Sequence, residues 1–537
     1  MWRRLFRLTA LVLAVVVYAG YSIYSFVRPP EGVTPPPAAD WHNAAELFAD
    51  DATYRPDIPK TWDDSDVESL ELPRPQVEAT PQQVSADYYY RIPVMPIYRS
   101  YPIYLPGREP DGYWEELRLV EPELVWDVRE LTTKDDWIAA GAEVFRAPIL
   151  WLPAGDPPLA VRALSGLGES VVDAQARWHE RMRIPAPRDG SFPFTRIQIR
   201  EKGRLEVGLF SCATCHTRVQ PDGTVILGAQ GNYPSPAAFP DAHAFLLRRL
   251  AKQLFRTPWV ASDPAAAFDS MSTSEMFDVF AQTPPGVVAR HGTSPWTPVQ
   301  VPDLIGIEDR KYLDRTGLVR HRDIGDLMRY AALNQVTDVV ASYDGYVPMT
   351  ETIPFSEGAP PPESLIRYSD AQLYALALYT YSLTPPENPN LVDALTEKGR
   401  AIFEQEGCVV CHAPPLYTSN ALTPVDGFTV PAEHWEELDI IDVRVGTDPR
   451  LSLQTRRGTG YYKVPSLRGV WYRGPFEHSG SVLTLEDWFD PARLGDDYVP
   501  TGFKGVDRDT RAVSGHPFAL DLSAEERRAL IAFLKTL

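Results

Sequence analysis

Apolar residues recur at helical spacing in two similar stretches of this 537-residue chain. We predict one helix from Ser369 and another from Ser523, because a glutamine or glutamate follows each serine by three residues, which is the capping-box pattern. Their apolar faces then correspond pair by pair: Leu376 with Leu530, Tyr379 with Phe533, and Leu383 with Leu537. This correspondence indicates an internal duplication whose halves meet between about Pro386 and Asn390.

Two further matches occur in the same order along the chain. Lys202-Gly203-Arg204 stands as far before Cys212 as Lys398-Gly399-Arg400 stands before Cys408. Later, Val301–Gly306 is similar to Val464–Gly469, and the ungapped alignment pairs Arg310 with Arg473, Arg315 with His478 and Gly317 with Gly480. The duplication therefore covers loops as well as helices.

A helix is also predicted over Asp136–Phe145, where apolar residues recur every three to four positions. Its Gly141-x-x-Val144-Phe145 is similar to Gly399-x-x-Ile402-Phe403. If both are the first helices of their halves, the first half carries a long insertion before Cys212.

The stretch Leu8–Val27 carries no charge and, at about 1.5 Å per residue, reaches the roughly 30 Å of a bilayer core. Arg3, Arg4 and Arg7 precede it, which keeps the amino terminus cytoplasmic. We predict an N-terminal transmembrane helix within residues 1–28, with a cleaved signal peptide as the alternative. Either reading exports the rest of the chain, so the expected location is the bacterial inner membrane with the globular part in the periplasm.

Residues 29–40 are rich in proline and predict a stiff linker. Residues 41–130 have many prolines and aromatics, including Tyr88-Tyr89-Tyr90, without a sustained period, and predict a segment that wraps over the other domains. Packing is the expected role of these tyrosines, with a binding surface as the alternative.

All four cysteines lie in two Cys-x-x-Cys-His motifs, Cys212–His216 and Cys408–His412. This spacing is typical of covalent c-type haem attachment, in which both thiols bond to the porphyrin and the histidine binds iron. A zinc ion shared by the two pairs and a thioredoxin-like redox pair are the alternatives. Zinc needs no histidine after each pair, and the thioredoxin motif occurs once.

The sequence therefore predicts two c-type haems. The attachment residues are Cys212, Cys215 and His216 for the first haem and Cys408, Cys411 and His412 for the second. The expected fold is mainly α, with two tandem cytochrome c-type domains and long loops. We place the first haem domain at residues 131–386 and the second at 387–537.

The sixth iron position decides the chemistry, since a second protein ligand favours electron transfer and an open position admits peroxide or oxygen. The last methionine is Met349, so the second half has no methionine to offer. Of the later histidines, His434, His478 and His516, we favour His516, which lies in a turn shortly before the final helix. The alternative is an exposed turn histidine. His478 aligns with Arg315, which excludes a ligand role shared by both halves.

The first haem has His216 as its proximal ligand, and no distal residue stands out. The distal candidates are several histidines and the methionines Met271, Met276, Met328 and Met349. Met271 and Met276 fall in a helical stretch and are expected in the core. This pattern is compatible with an open site.

Net charge is −20 and the pI is about 5.0, which excludes nucleic acid as an expected partner. Partners predicted from the sequence are the membrane and an electron donor, either a small redox protein or a quinol-linked one. The sequence does not identify the substrate, the oligomeric state or any interdomain calcium.

The stretch from Lys463 to Gly469 and on through Pro475–Leu485 closely resembles the segment after the second haem motif of bacterial di-haem cytochrome c peroxidases. That superfamily includes the tryptophylquinone-maturing di-haem enzyme and the di-haem rubber oxygenases. The resemblance runs from the first haem motif to Leu537 and is most specific in the second half.

The resemblance implies a reactive first haem and a second haem that relays electrons. Peroxidases of this type place a methionine on the second haem, which this chain lacks; the rubber oxygenases use a histidine near the carboxy terminus, which maps to His516. Two functions are compatible with this pattern. One is a membrane-anchored di-haem enzyme with peroxidase-like or oxygen-activating chemistry, and the other is a non-catalytic electron-transfer subunit of a larger membrane complex.

Overall fold

The computed structural model describes residues 48–75, 81–153, 171–233, 252–260, 263–290, 292–343, 345–348 and 365–537. Within these ranges, no helix is both long enough and apolar enough to cross a membrane. The anchor predicted over Leu8–Val27 and the linker at 29–40 lie outside the described residues.

The described α-helices range in length from 4 to 17 residues. In chain order they are α1 (Asp64–Glu68), α2 (Ala86–Arg91), α3 (Tyr113–Leu117), α4 (Lys134–Arg146), α5 (Val171–Arg181), α6 (Cys212–Cys215), α7 (Thr273–Ala281), α8 (Ile324–Val340), α9 (Asp370–Ser382), α10 (Ala394–Gln405), α11 (His434–Glu437), α12 (Arg450–Leu453), α13 (Leu485–Trp488) and α14 (Ala524–Lys535). Short 3-10 helices span Val128–Glu130, Pro264–Asp269, Ile307–Asp309, Cys408–Val410 and Pro491–Leu494.

The described strands form one larger sheet and several two-stranded pairs. They are β1 (Gln82–Gln83), β2 (Ser100–Tyr104), β3 (Leu150–Pro153), β4 (Ser191–Glu201), β5 (Arg204–Leu209), β6 (Thr217–Val219), β7 (Val225–Leu227), β8 (Val287–Val288), β9 (Val299–Gln300), β10 (Tyr312–Leu313), β11 (Val319–Arg320), β12 (Ala341–Ser342), β13 (Leu422–Pro424) and β14 (Tyr461–Lys463).

Both helices predicted from capping boxes are confirmed. At the start of α9, the Ser369 hydroxyl accepts from the Gln372 backbone N–H at 3.1 Å, and the Gln372 side chain accepts from the Ser369 N–H at 2.9 Å. Ser523 and Glu526 repeat the exchange at the start of α14, at 3.3 and 3.0 Å. Each box satisfies backbone N–H groups that the first turn leaves without a partner.

In each half, a glycine allows one pair of helices to cross closely, α4 with α9 and α10 with α14. A Cβ placed on Gly141 of α4 would lie 2.8 Å from the Tyr379 Cβ of α9. A Cβ on Gly399 of α10 would lie 2.8 Å from the Phe533 Cβ of α14. Since real Cβ atoms do not approach so closely, both crossings require glycine.

A packed pair of aromatic rings lies beside each of the two crossings. Phe145 lies against Tyr379 with ring centroids 5.2 Å apart, and Phe403 lies against Phe533 at 5.4 Å. The helices α4 and α10 are therefore equivalent, as the similarity of their sequences predicted. The stretch between Phe145 and Cys212 is then the predicted insertion in the first half.

The prediction of a mainly α fold is wrong. The structure contains 32% helix and 14% strand. Much of the strand lies in the insertion, whose strands β3, β4 and β5 form an antiparallel sheet with β2 of the earlier segment, in the order β2-β4-β5-β3. Phe192, Phe194, Ile197 and Val207 are buried in the separate core of this sheet. Because β4 buries residues on both faces, it lacks the alternation by which a half-buried strand is recognised.

The match between Lys202–Arg204 and Lys398–Arg400 is also wrong. Lys202 and Gly203 form the turn between β4 and β5, and Gly203 has a φ of 82°. Lys398–Arg400 lies inside α10. The structural counterpart of Gly399 is Gly141. The equal spacing from each Lys-Gly-Arg to the next cysteine motif is therefore a coincidence.

The match between Val301–Gly306 and Val464–Gly469 is confirmed by its hydrogen bonds. Arg310 donates to the backbone carbonyls of Asp303 and, at 2.8 Å, Ile305. Its aligned partner Arg473 donates at 2.7 Å to the carbonyl of Ser466, which aligns with Asp303. The two loops therefore have the same internal scaffold.

Aromatic residues of the segment 41–130 pack as expected. Tyr88 and Tyr89 are buried in the main core, which also contains residues of α4 and α9. Trp62 stacks on Tyr89 with ring centroids 4.3 Å apart. These rings contribute apolar burial instead of an exposed binding surface.

Candidate haem centres

The first Cys-x-x-Cys-His motif folds as a single helical turn. Ser211 caps α6 by accepting from the Thr214 N–H at 3.2 Å. His216 follows the turn, and its Nδ1–H donates to the Pro302 carbonyl at 3.0 Å. This bond leaves the Nε2 lone pair available to a metal, which is the usual way a protein orients a ligating histidine.

The imidazole of His216 is neutral at physiological pH. Burial lowers its pKa to about 3, and the nearby cations Arg290 and Arg310 act in the same direction. A neutral imidazole is the form that binds iron, so the environment suits a ligand.

The thiols beside it are not activated. Burial raises the pKa of Cys212 to about 12 and that of Cys215 to about 11. In the second motif, burial raises the pKa of Cys408 to about 11 and also raises that of Cys411. A thioredoxin-like pair needs a low thiol pKa, so this alternative does not fit.

The second motif follows α10 directly. Gly407 turns the chain with a φ of 72°, and a 3-10 turn carries Cys408. The Nδ1–H of His412 donates to the Tyr417 carbonyl at 3.2 Å. Burial lowers the pKa of His412 to about 4, although backbone hydrogen bonds at Tyr417 and Pro465 oppose the shift. Pro465 aligns with Pro302, so the same loop supports the histidine in each half.

His516 lies against His412. The ring centroids are 6.4 Å apart, with an angle of 58° between the planes. Two imidazoles that share one metal, each nitrogen about 2 Å from it, have centroids about 6 Å apart. The spacing therefore fits one iron between the two histidines.

The backbone around His516 is held firmly in place. Its N–H donates to the Val445 carbonyl at 2.6 Å, and its φ of 47° lies in the left-handed region, which is uncommon for a residue other than glycine. The fully buried Arg493 donates to the carbonyls of Val513, Gly515 and His516 at 2.7, 2.9 and 2.8 Å. The conformation is fixed by these bonds.

The imidazole ring of His516 is held between two aromatic rings and is neutral. Trp488 and Phe518 flank it at centroid distances of 5.4 and 5.0 Å. Burial lowers its pKa to about 3, and His412 and Arg493 lower it further. Its Nδ1 is buried without a hydrogen-bond partner. An imidazole in this state is ready to bind a metal.

Zinc shared between the two cysteine pairs does not fit. Across the described ranges, which include all four cysteines, no three side chains of His, Cys, Asp or Glu come together as a metal site. Structural zinc requires four protein ligands. A haem supplies four nitrogens of its own and needs one or two protein ligands, which is what each motif offers.

The other candidate ligands are engaged elsewhere. His434 bonds to the Tyr461 hydroxyl at 2.8 Å, and His478 lies against Tyr462 with centroids 5.2 Å apart. His321 has both ring nitrogens in hydrogen bonds, to the Arg310 carbonyl and the Tyr381 hydroxyl, each at 2.7 Å.

The methionines proposed for the first haem belong to apolar cores. Met271 and Met276 pack in a cluster around Phe255 and Phe268, as expected, and Met328 is buried in the main core. Met349 lies outside the described residues. Among the residues that the structure describes, no histidine ring lies against His216 in the way that His516 lies against His412.

Sequence reasoning missed the group of cations between the two motifs. Arg310, Arg315, Lys463 and Arg473 line one pocket together with Pro302 and Pro465. The alignment had paired Arg310 with Arg473, so a signal existed. This signal alone does not predict the pocket, because nothing in the sequence places the two loops side by side.

Comparisons with known proteins leave the family open. No family model matches the chain, and no curated protein matches it. A structure of Kuenenia stuttgartiensis hydrazine synthase, pressurized with 20 bar xenon, overlaps 55% of this chain and 87% of its own, with 15% identity and a TM-score of 0.28. A MauG-like protein associated with microbial copper homeostasis overlaps 54% of this chain and 87% of its own, with 16% identity and a TM-score of 0.27. Similarity at this level carries no argument about function.

Proposed function

We propose that this chain is a di-haem c-type cytochrome that transfers electrons and performs peroxidase-like or oxygen-activating oxidoreductase chemistry at its first haem. One observation carries the proposal: His412 of the second motif faces His516 with ring centroids 6.4 Å apart. Bound haem would supply one-electron chemistry at each motif.

The second centre is suited to electron relay. His412 and His516 would both hold the iron of a haem bound here, so this haem would serve electron transfer and not substrate binding. Both histidines are held by backbone hydrogen bonds, at Tyr417 and Val445 respectively. A rigid, six-coordinate centre reorganises little on changing oxidation state, which favours electron transfer.

The first centre has a different environment. His216 is fixed by Pro302 in the manner of His412. No described histidine ring faces it, and the described methionines proposed as ligands belong to apolar cores. We therefore propose that His216 is the one described side chain that would hold this haem, and that the haem would supply peroxidase-like or oxygen-activating chemistry.

The cellular setting belongs to the proposal as well. The uncharged Leu8–Val27 stretch after Arg3, Arg4 and Arg7 supports a membrane anchor with the globular part in the periplasm. The proposed electron donor is a small redox protein or a quinol-linked one. The net charge of −20 disfavours nucleic acid.

Spectroscopy of the purified holoprotein tests the proposal. The pyridine haemochrome assay should find two covalent haems per chain. Electron spin resonance should find one low-spin haem and a second haem whose spin state changes on partial reduction, with peroxide turnover after that reduction. Two haems that stay low-spin in every redox state, without turnover, would contradict the enzymatic part and leave an electron carrier. A chain without covalent haem would contradict the whole proposal.

A further inference from the structure

A cationic pocket lies between the two haem-anchoring histidines. One wall is Pro302, whose carbonyl holds His216, and another is Pro465, whose backbone lies against His412. The pocket therefore touches the supports of both centres.

Four basic side chains line this pocket, and among its lining residues Asp303 is the one carboxylate. The basic residues are Arg310, Arg315, Lys463 and Arg473. Asp303 already accepts from the Tyr472 hydroxyl at 3.0 Å and from the Ile305 N–H at 3.2 Å. Its carboxylate is 4.0 Å from the Arg473 guanidinium. One carboxylate cannot balance four positive charges.

Other nearby groups do not neutralise the pocket. Asp314 is next to Arg315 in sequence, but its carboxylate pairs with Arg457 and lies 3.6 Å from Arg290. The Lys463 ammonium donates to the Tyr312 carbonyl at 3.2 Å. The Nε atoms of Arg315 and Arg473 are buried without a hydrogen-bond partner. Donors therefore remain available to a ligand.

The repulsion between the four basic side chains indicates that the pocket binds an anion. Burial and the neighbouring arginines lower the pKa of Lys463 well below its usual range, and burial lowers that of Arg315 to about 9. Like charges that share a buried site destabilise one another unless counter-charges are present.

Each half contributes one arginine to the pocket from an equivalent position. Arg310 and Arg473 occupy equivalent positions of the duplicated loop, and each donates to the equivalent backbone carbonyl, at Asp303 and Ser466. Each loop also supports the histidine of its own half. A ligand held here would contact both halves at once.

We propose that this pocket binds carboxylates, and that these are the propionate groups of the two haems, held jointly by Lys463, Arg310, Arg315 and Arg473. The pocket's role rests on the proposed binding of two haems. Carboxylates are the anions that haem carries, and arginine recognises them with paired hydrogen bonds. The pocket would thereby fix the two haems relative to each other.

Potentiometric titration of holoprotein variants tests this role. Lys463→Met should retain two covalent haems, because the attachment motifs are intact, but should have lower reduction potentials, because loss of a positive charge near the propionates favours ferric iron. Lys463→Arg should remain close to wild type. Lys398→Met removes a charge from the surface, where Lys398 pairs with Glu525, and should change neither potential.

The haem content distinguishes a failure of the proposed function from a failure of the carboxylate pocket. A wild-type chain without haem contradicts the proposed function. A Lys463→Met protein with two haems and wild-type potentials contradicts the carboxylate pocket alone. If that variant does not fold, Arg473→Gln provides the same comparison.

A free anion is the other source of carboxylate. Succinate added to the wild-type holoprotein should leave both potentials unchanged if propionates fill the pocket. A saturable shift that is absent from Lys463→Met would show that a dissolved carboxylate occupies the pocket, and would overturn the assignment to propionates.

Discussion

His412 and His516 face each other across 6.4 Å between ring centroids, although 104 positions (516 − 412) separate them in the chain. One follows a Cys-x-x-Cys pair, and the other lies in a loop tied down by Arg493. Both imidazoles are neutral, since burial lowers both pKa values. This relationship carries the proposal of a haem held between the two histidines.

Arg493 is expected to position His516 without touching the iron. Arg493→Met would leave four backbone carbonyls, of Trp488, Val513, Gly515 and His516, without their donor. We expect the free energy of unfolding to fall by about 3 kcal/mol, since buried acceptors without partners are costly. Urea titration measures the loss.

The spectrum of the same variant separates positioning from stability. We expect a high-spin fraction at the second haem in folded Arg493→Met, because His516 is no longer held. The exposed Arg468→Met serves as the control and should match wild type in both measurements. A destabilised Arg493→Met with an unchanged low-spin spectrum would assign Arg493 to folding alone.

The glycines at the helix crossings should not tolerate a side chain. Gly141→Ala and Gly399→Ala would each place a methyl group against the backbone and Cβ atoms of the facing helix. We expect each to lower the free energy of unfolding by about 1 to 3 kcal/mol, as overpacking does. Urea titration of Glu404→Ala, an exposed substitution on α10, provides the control. Unchanged stability in both glycine variants would refute the close crossing.

His321 should make stability depend on pH. Burial lowers its pKa below the unfolded value of about 6.5, so the unfolded chain takes up a proton more readily than the folded one. The stabilising contribution of neutral His321 is thus complete above about pH 6.5 and declines as the pH falls below it, by up to about 1.4 kcal/mol per pH unit.

Urea titrations at several pH values would measure this contribution. Between pH 7 and 5, wild type should lose more stability than His321→Gln. The haem spectrum of the variant should be unchanged, since both nitrogens of His321 are already in hydrogen bonds. Parallel pH profiles for the two proteins would exclude the role of His321.

The amino-terminal segment should decide only where the protein resides. Replacing residues 1–28 with a cleavable export signal should release the globular part into the periplasmic fraction with both haems attached. The full chain should remain in the membrane fraction, as fractionation and haem staining can show. A full-length chain that leaves the membrane fraction would contradict the anchor.

Sequence reasoning succeeded where local patterns determine structure. The capping boxes at Ser369 and Ser523 are local hydrogen-bond patterns, and both helices begin there. The similarity of Gly141 to Gly399 reflects a packing requirement that repeats in each half. Such features depend on a few neighbouring residues, so the sequence carries them directly.

It failed where structure depends on distant pairing. β4 pairs with β5 beside it, but also with β2, which lies far earlier in the chain. Its burial on both faces conceals the period of two. Likewise, the cationic pocket exists only because two duplicated loops meet in space.

The most direct test is the spin state of the second haem in His516→Gly holoprotein, measured by electron spin resonance beside wild type and His434→Gly. His434 is a buried histidine of the same half that bonds to Tyr461 and does not face His412. We expect His516→Gly to convert the second haem to high spin, whereas His434→Gly should leave it low-spin. A low-spin second haem in His516→Gly would contradict ligation by His516.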